Sequence, residues 1–176
     1  MREDGSEKDE IEAAVLEYRN AVTRMPSSGD LHYKLALAYE KLGDSEKAMR
    51  EFQEVTQLDG GNVDANLRVA TMLLTAGRFD DAERLATRVL DRDPRNVRAL
   101  ALTAGALESR GQLASAERRV SEALKIDGRS AAALVARASL ERRASISLSS
   151  LIQEESMPES ILMVAGGGTG GHIYPA

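Results

Sequence analysis

VDANLRVATMLLTAGRFDDAERLATRVLDRDPRN, residues 63–96, decides how the rest of the chain is read. It divides into two short amphipathic stretches, hinged at Gly77 and closed at Asp93-Pro94. The segments before and after it repeat the plan at the same length. Gly43, Gly77 and Gly111 recur every 34 residues. Ala48, Ala82 and Ala116 keep that interval, with Ala14 one step earlier, and Ala36, Ala70, Ala104 and Ala138 form another series. Asp59, Asp93 and Asp127 make a third, followed by breakers at Pro26, Gly60, Pro94 and Gly128.

Each series has a physical reading. A glycine at the hinge reaches positive φ and lets the chain reverse within about three residues. Alanine on the inner faces lets paired helices approach to roughly 8 Å between axes. Larger residues fill the remaining space: Leu35, Tyr39 and Phe52, then Val69, Leu73 and Val89, then Leu107, Val120 and Leu124. Asp44 and Asp80, just past two hinges, are placed to cap the second helices. One such unit cannot bury its apolar stripe alone, whereas stacked units share a continuous core. The fold class is therefore all-α, a solenoid of helical hairpins.

Working outward, Gly29–Asn62, Val63–Asn96 and Val97–Ser130 are complete units. A second helix alone precedes them, with Ile11, Ala14, Val15, Tyr18, Ala21 and Val22 on one face between Glu10 and Arg24. A first helix alone follows, from Ala131 to about Ala144. The array thus spans residues 10–144. Residues 1–9 are expected to fray, and 145–160 read as a serine-rich linker.

Composition limits the function classes. The 176 residues are 43% hydrophobic and 29% charged, which suits a packed core under a solvated surface. A net charge of −5 and 3% aromatics argue against nucleic acid, which needs a basic face. There is no Cys, and His32 and His172 stand far apart in sequence, so no metal site or cofactor is expected. No apolar run is long enough to span a bilayer, and the charged start MREDGSEKDE is unlike a secretory signal, so a cytoplasmic location is expected.

The 34-residue hairpin period with its small–hinge–Ala–Pro punctuation resembles the tetratricopeptide repeat. The family's early Trp is replaced by His32, Asn66 and Leu100, and its terminal Pro by Gly60 and Gly128. The resemblance implies a non-catalytic scaffold for protein–protein interaction, with the first helix of each unit lining a concave groove. Repeat position places Tyr33, Leu37, Glu40 and Lys41 there, then Leu67, Thr71, Leu74 and Thr75. Arg98, Ala101, Gly105 and Glu108 follow, and finally Val135, Ser139 and Arg142. Such a lining suits an extended peptide or a helix, and a solvated or neighbour-packed face is the other reading of the same residues. Some members clamp a terminal carboxylate with Lys and Asn, but the matching places here hold Tyr33 and Leu37, which argues against that mode. An unfinished unit at each end also leaves apolar surface through which copies could stack.

The C-terminus is of another kind. Ile161–Ala165 is a strand-like apolar run leading into Gly166, Gly168 and Gly171, spaced G-x-G-x-x-G, and then His172. Residues 161–176 resemble the first strand and loop of MurG-type N-acetylglucosaminyltransferases of peptidoglycan synthesis. That resemblance implies sugar-nucleotide contacts at Thr169, Gly170, Gly171 and His172, and an alternative reading as a truncated or fused start of such an enzyme. A βαβ unit takes about 30 residues, so the loop has no sheet to join and a largely unstructured glycine-rich tail is expected.

Overall fold

The structure, a computed structural model, describes residues 3–155. Among them are eight helices and no strand: α1 (Glu3–Arg24), α2 (Gly29–Lys41), α3 (Ser45–Leu58), α4 (Val63–Thr75), α5 (Phe79–Leu90), α6 (Val97–Ser109), α7 (Leu113–Ile126) and α8 (Ala131–Glu155). Two compact units are distinguished, Met1–Leu140 and Glu141–Ala176. The first contains α1 to α7 and the opening of α8. The second contributes, among the described residues, the remainder of α8, where Ile146 and Leu148 are exposed. No helix among the described residues is long and apolar enough to cross a membrane.

The 34-residue period survives as geometry. Gly43, Gly77 and Gly111 have φ of +77°, +76° and +77°, and at each the chain reverses from first to second helix. No heavy atom lies within 4 Å of a Cβ built at these glycines, so backbone conformation alone demands them. The same repeat position falls on Asp9 in α1 and Ser145 in α8. Neither residue takes positive φ as readily as glycine, and both helices run straight through. α1 accordingly runs from Glu3 through Asp9 without a hinge. α8 likewise runs through Ser145 to Glu155.

First helices are capped by a periodic polar residue. Ser28, Asn62 and Asn96 accept from the N–H groups of Leu31, Ala65 and Ala99 at 3.4, 2.9 and 3.1 Å, and Ser130 accepts from Ala133 at 3.4 Å. Each such cap contributes about 1 kcal/mol. Just upstream, Asp59, Asp93 and Asp127 turn the chain by accepting from the N–H two residues on. Second helices are less uniform. Asp44 caps α3 through the Lys47 N–H, as expected. Asp80 does not cap α5: it lies one residue inside the first turn, where its charge only favours the helix's positive end, and the cap position holds Arg78.

The alanine series is the core. Ala36, Ala48, Ala70, Ala82 and Ala116 are 0% exposed and Ala104 is 1% exposed. Around them Phe52, Leu35, Val69 and Val89 are almost wholly buried, each contributing on the order of 1.5–3 kcal/mol. The series loosens in the first and last described helices. Ala14 is half-buried, and Ala138 is exposed.

Candidate functional site

On the face lined by the first helices, polar bridges and clefts alternate. The bridge centres on Asp64 at the start of α4. Its carboxylate accepts from the Tyr33 hydroxyl of α2 at 2.5 Å, from Arg68 Nε at 2.6 Å, and from Arg98 of α6 at 3.2 Å. Arg68 also reaches back to Glu40 of α2, and its guanidinium lies 5.3 Å above the Phe52 ring. Three successive first helices are thereby linked by side chains.

Burial by itself would raise the Asp64 carboxyl; the hydrogen bonds from Tyr33 and Arg68 outweigh it and hold the group below the usual carboxylate value. The hydrogen bond to Asp64, with burial, pushes the Tyr33 phenol up.

A cleft of about 420 Å³ opens beyond this bridge, across α4, α6 and α8. Its apolar lining comes from Leu74, Ala101, Leu102, Ala132, Val135 and Ala136. Arg98 stands at the α6 N-terminal end; Glu108 and Ser139 stand near its C-terminal end. Gly105 helps to make the space. At this repeat position α2 has Leu37 and α4 has Thr71, whereas α6 has no side chain, and a Cβ there would lie 3.1 Å from Leu74 Cδ2. Glu108 is only 9% exposed and accepts from Ser139 Oγ at 2.8 Å.

The residues expected to line one groove separate into four settings. Thr71, Leu74, Arg98 and Glu108 line this cleft together. Leu37 and Lys41 line a different one, of about 360 Å³, between α1 and α2. Tyr33 belongs to the polar bridge, its ring edge-on to Phe52 at 5.7 Å. Leu67 is 2% exposed and packs with Val89 and Ala99, so it is core and meets no ligand. Leu67 and Leu74 are seven residues apart and nearly in phase on α4, so the neighbour separates them: Leu67 meets Val89 and Ala99, whereas Leu74 meets the space left at Gly105.

His32 packs rather than presenting itself to a ligand. Its Nδ1 lies 2.7 Å from Glu51 Oε2 and its Nε2 lies 2.9 Å from the Pro26 carbonyl. Both neighbours are acceptors, so the two contacts favour the protonated ring, in which both nitrogens donate. Burial alone would lower its pKa, but the Glu51 carboxylate and Pro26 carbonyl together raise it. One repeat later Asn66 makes the equivalent reach, donating to the Gly60 carbonyl at 3.1 Å and to Asn62 at 2.7 Å. The periodic caps and this carbonyl reach were not anticipated from the sequence, although the 34-residue spacing of Ser28, Asn62, Asn96 and Ser130 carried the signal. Thr169, Gly170, Gly171 and His172, with the strand expected at Ile161–Ala165, lie outside the described residues.

Stacked helical hairpins of 34 residues, hinged at glycine and packed on alanine, define the class of this protein. Models of the tetratricopeptide repeat match residues 29–62 and 73–140, the former coinciding with the first complete unit. The chain belongs to the tetratricopeptide repeat family. No curated protein sequence matches it.

Solved structures share the fold. A tetratricopeptide repeat protein from Parabacteroides merdae is similar with a TM-score of 0.67 at 19% identity, over 87% of this chain and 62% of that one. YrrB, described as having an unusual peptide-binding site, gives 0.65 at 22% identity, over 74% and 67%. The first repeat domain of Spaghetti (RPAP3), bound to the HSP90 peptide SRMEEVD, gives 0.59 at 14% identity, over 66% and 93%.

Proposed function

We propose that this chain is a non-catalytic interaction scaffold and that the α4–α6–α8 cleft seats a short peptide or the edge of a helix. The observation that carries the proposal is the cleft itself, where four of the residues expected in a groove meet over an apolar floor. A ligand placing one or two apolar side chains over Gly105 and Val135 would bury surface worth roughly 25 cal/mol per Å². A carboxylate or carbonyl of the ligand can approach Arg98, whose side chain is 54% exposed although it also touches Asp64. A donor suits the Glu108 end. YrrB and the Spaghetti domain support the reading as folds of this type that accommodate peptides.

Peptides selected from a random display library against the full chain test this. Val135, 69% exposed, can be changed to Asp without disturbing the core. Val135→Asp is expected to weaken the selected peptides at least tenfold with an unchanged melting temperature. Peptides indifferent to Val135→Asp and to Gly105→Met would place the interaction elsewhere and overturn the assignment.

A further inference from the structure

The charged residues lining the α4–α6–α8 cleft are Arg98 and Glu108, and both belong to α6. Their positions, ten residues apart, correspond to about 15 Å along the helix. Arg98 lies in the first turn and Glu108 in the last, the reverse of the order that stabilises a helix. At the place of Arg98, α2 and α4 carry Asp30 and Asp64, which do favour a helix start. Between the two charges the lining recedes at Gly105, where Leu74 lies close against the bare α-carbon: a Cβ there would stand 3.1 Å from Leu74 Cδ2.

Hydrogen-bonding capacity is divided in the same sense. Thr71 Oγ1 donates to the Leu67 carbonyl at 2.8 Å, Ser109 Oγ to the Gly105 carbonyl at 2.9 Å and Ser139 Oγ to Glu108 Oε1 at 2.8 Å. These hydroxyl protons are committed, so the three oxygens meet a ligand as acceptors. Glu108, Ser109 and Ser139 thus supply acceptors near the α6 C-terminus, where the last helix carbonyls also favour a cation. A carboxylate takes up to about four donors, so Glu108 can hold Ser139 and a ligand cation together. At the other end Arg98 gives one nitrogen to Asp64 at 3.2 Å and keeps further N–H donors for an anion.

Building on the cleft reading above, we propose that the ligand is an extended peptide of fixed charge order. A carboxylate side chain meets Arg98, an apolar side chain lies over Gly105, and a lysine or arginine meets Glu108. At about 3.3 Å per residue, the acid stands about three positions from the apolar residue and the base about one or two beyond it. A helix, about 10–12 Å across, is too broad to bring all three groups into a space of about 420 Å³.

Peptides selected from a random display library on the full chain test the proposal, those weakened by Val135→Asp being the cleft ligands. Their sequences are expected to share an acid, an apolar residue about three positions away and a base about one or two further on. In fluorescence-anisotropy titrations, replacing the peptide's acid by glutamine is expected to weaken binding to wild type about threefold to fivefold and to leave binding to Arg98→Gln unchanged. Replacing its base by glutamine is expected to cost about tenfold on wild type and nothing on Glu108→Gln. Should Glu108→Gln fail to fold, Arg98→Glu takes its place, and a peptide with lysine in place of its acid is expected to bind that variant better than the parent peptide does. Cleft ligands without the acid–apolar–base order, or replacements that cost as much on the variants as on wild type, overturn the charge order and leave the cleft as the binding place. A selection that yields no ligand sensitive to Val135→Asp overturns both.

Discussion

The Tyr33 hydroxyl donates to Asp64 Oδ2 at 2.5 Å and thereby ties the first helix of one unit to the first helix of the next. Tyr33→Phe removes that donor while keeping the ring on Phe52. A hydrogen bond to a charged acceptor contributes roughly 1.5–3 kcal/mol when buried, and partial exposure reduces this, so a loss of about 1 kcal/mol is expected in urea denaturation.

Asp64 has a lowered pKa in the folded state, so its contribution is present above the unfolded carboxyl value near about 4. That contribution fades as pH falls through the lower folded value. Asp64→Asn should therefore be less stable than wild type at pH 7, with the difference shrinking steadily toward pH 2. A pH-independent difference would contradict this origin.

His32 gives the opposite sign. Its folded pKa is raised, so the stabilisation is fully present below the unfolded value near about 6.5 and is lost as pH rises through the folded value. Measured against His32→Gln, wild type should hold a larger margin at pH 5.5 than at pH 8.5. The ring-proton NMR titration should have its midpoint above that of a free histidine.

Gly77→Ala tests the hinge. The added methyl meets no atom within 4 Å, so the only cost is φ of +76°, about 1 kcal/mol. Gly77→Asn should cost less, since asparagine tolerates that region better. Equal losses for both would implicate something other than φ.

The alanine positions separate by context. Ala82→Leu must force α4 and α5 apart and is expected to cost about 1–3 kcal/mol. Ala104→Leu should behave alike, whereas Ala138→Leu, at the same repeat position as Ala104 but exposed, should stay within about 0.5 kcal/mol at low protein concentration. Thermal melts of the three variants decide it.

Much of the fold was legible because every unit reuses one solution. Glycine at 43, 77 and 111 and alanine at 48, 82 and 116 satisfy local demands, a positive φ and a close helix approach, that depend on neighbours a few residues away or one repeat away. Helix ends were harder. Asp80 looks like a cap beside a hinge, yet the helix begins at Phe79, and a one-residue offset turns a cap into a first-turn charge. The unbroken runs of α1 and α8 follow from the absence of glycine at Asp9 and Ser145.

The candidate site was legible only as a face. Sequence by itself determined the hairpin period, the buried alanines and the set of first-helix residues from which a groove could be built, because periodicity reports which side of a helix is repeated. Tertiary structure decided how that set divides: Leu67 to the core, Tyr33 to Asp64, Leu37 and Lys41 to the α1–α2 cleft, and Thr71, Leu74, Arg98 and Glu108 to the α4–α6–α8 cleft. The physical reason is that a cleft is made by what neighbouring helices leave empty. The missing side chain at Gly105 acquires meaning only once the helices are packed side by side.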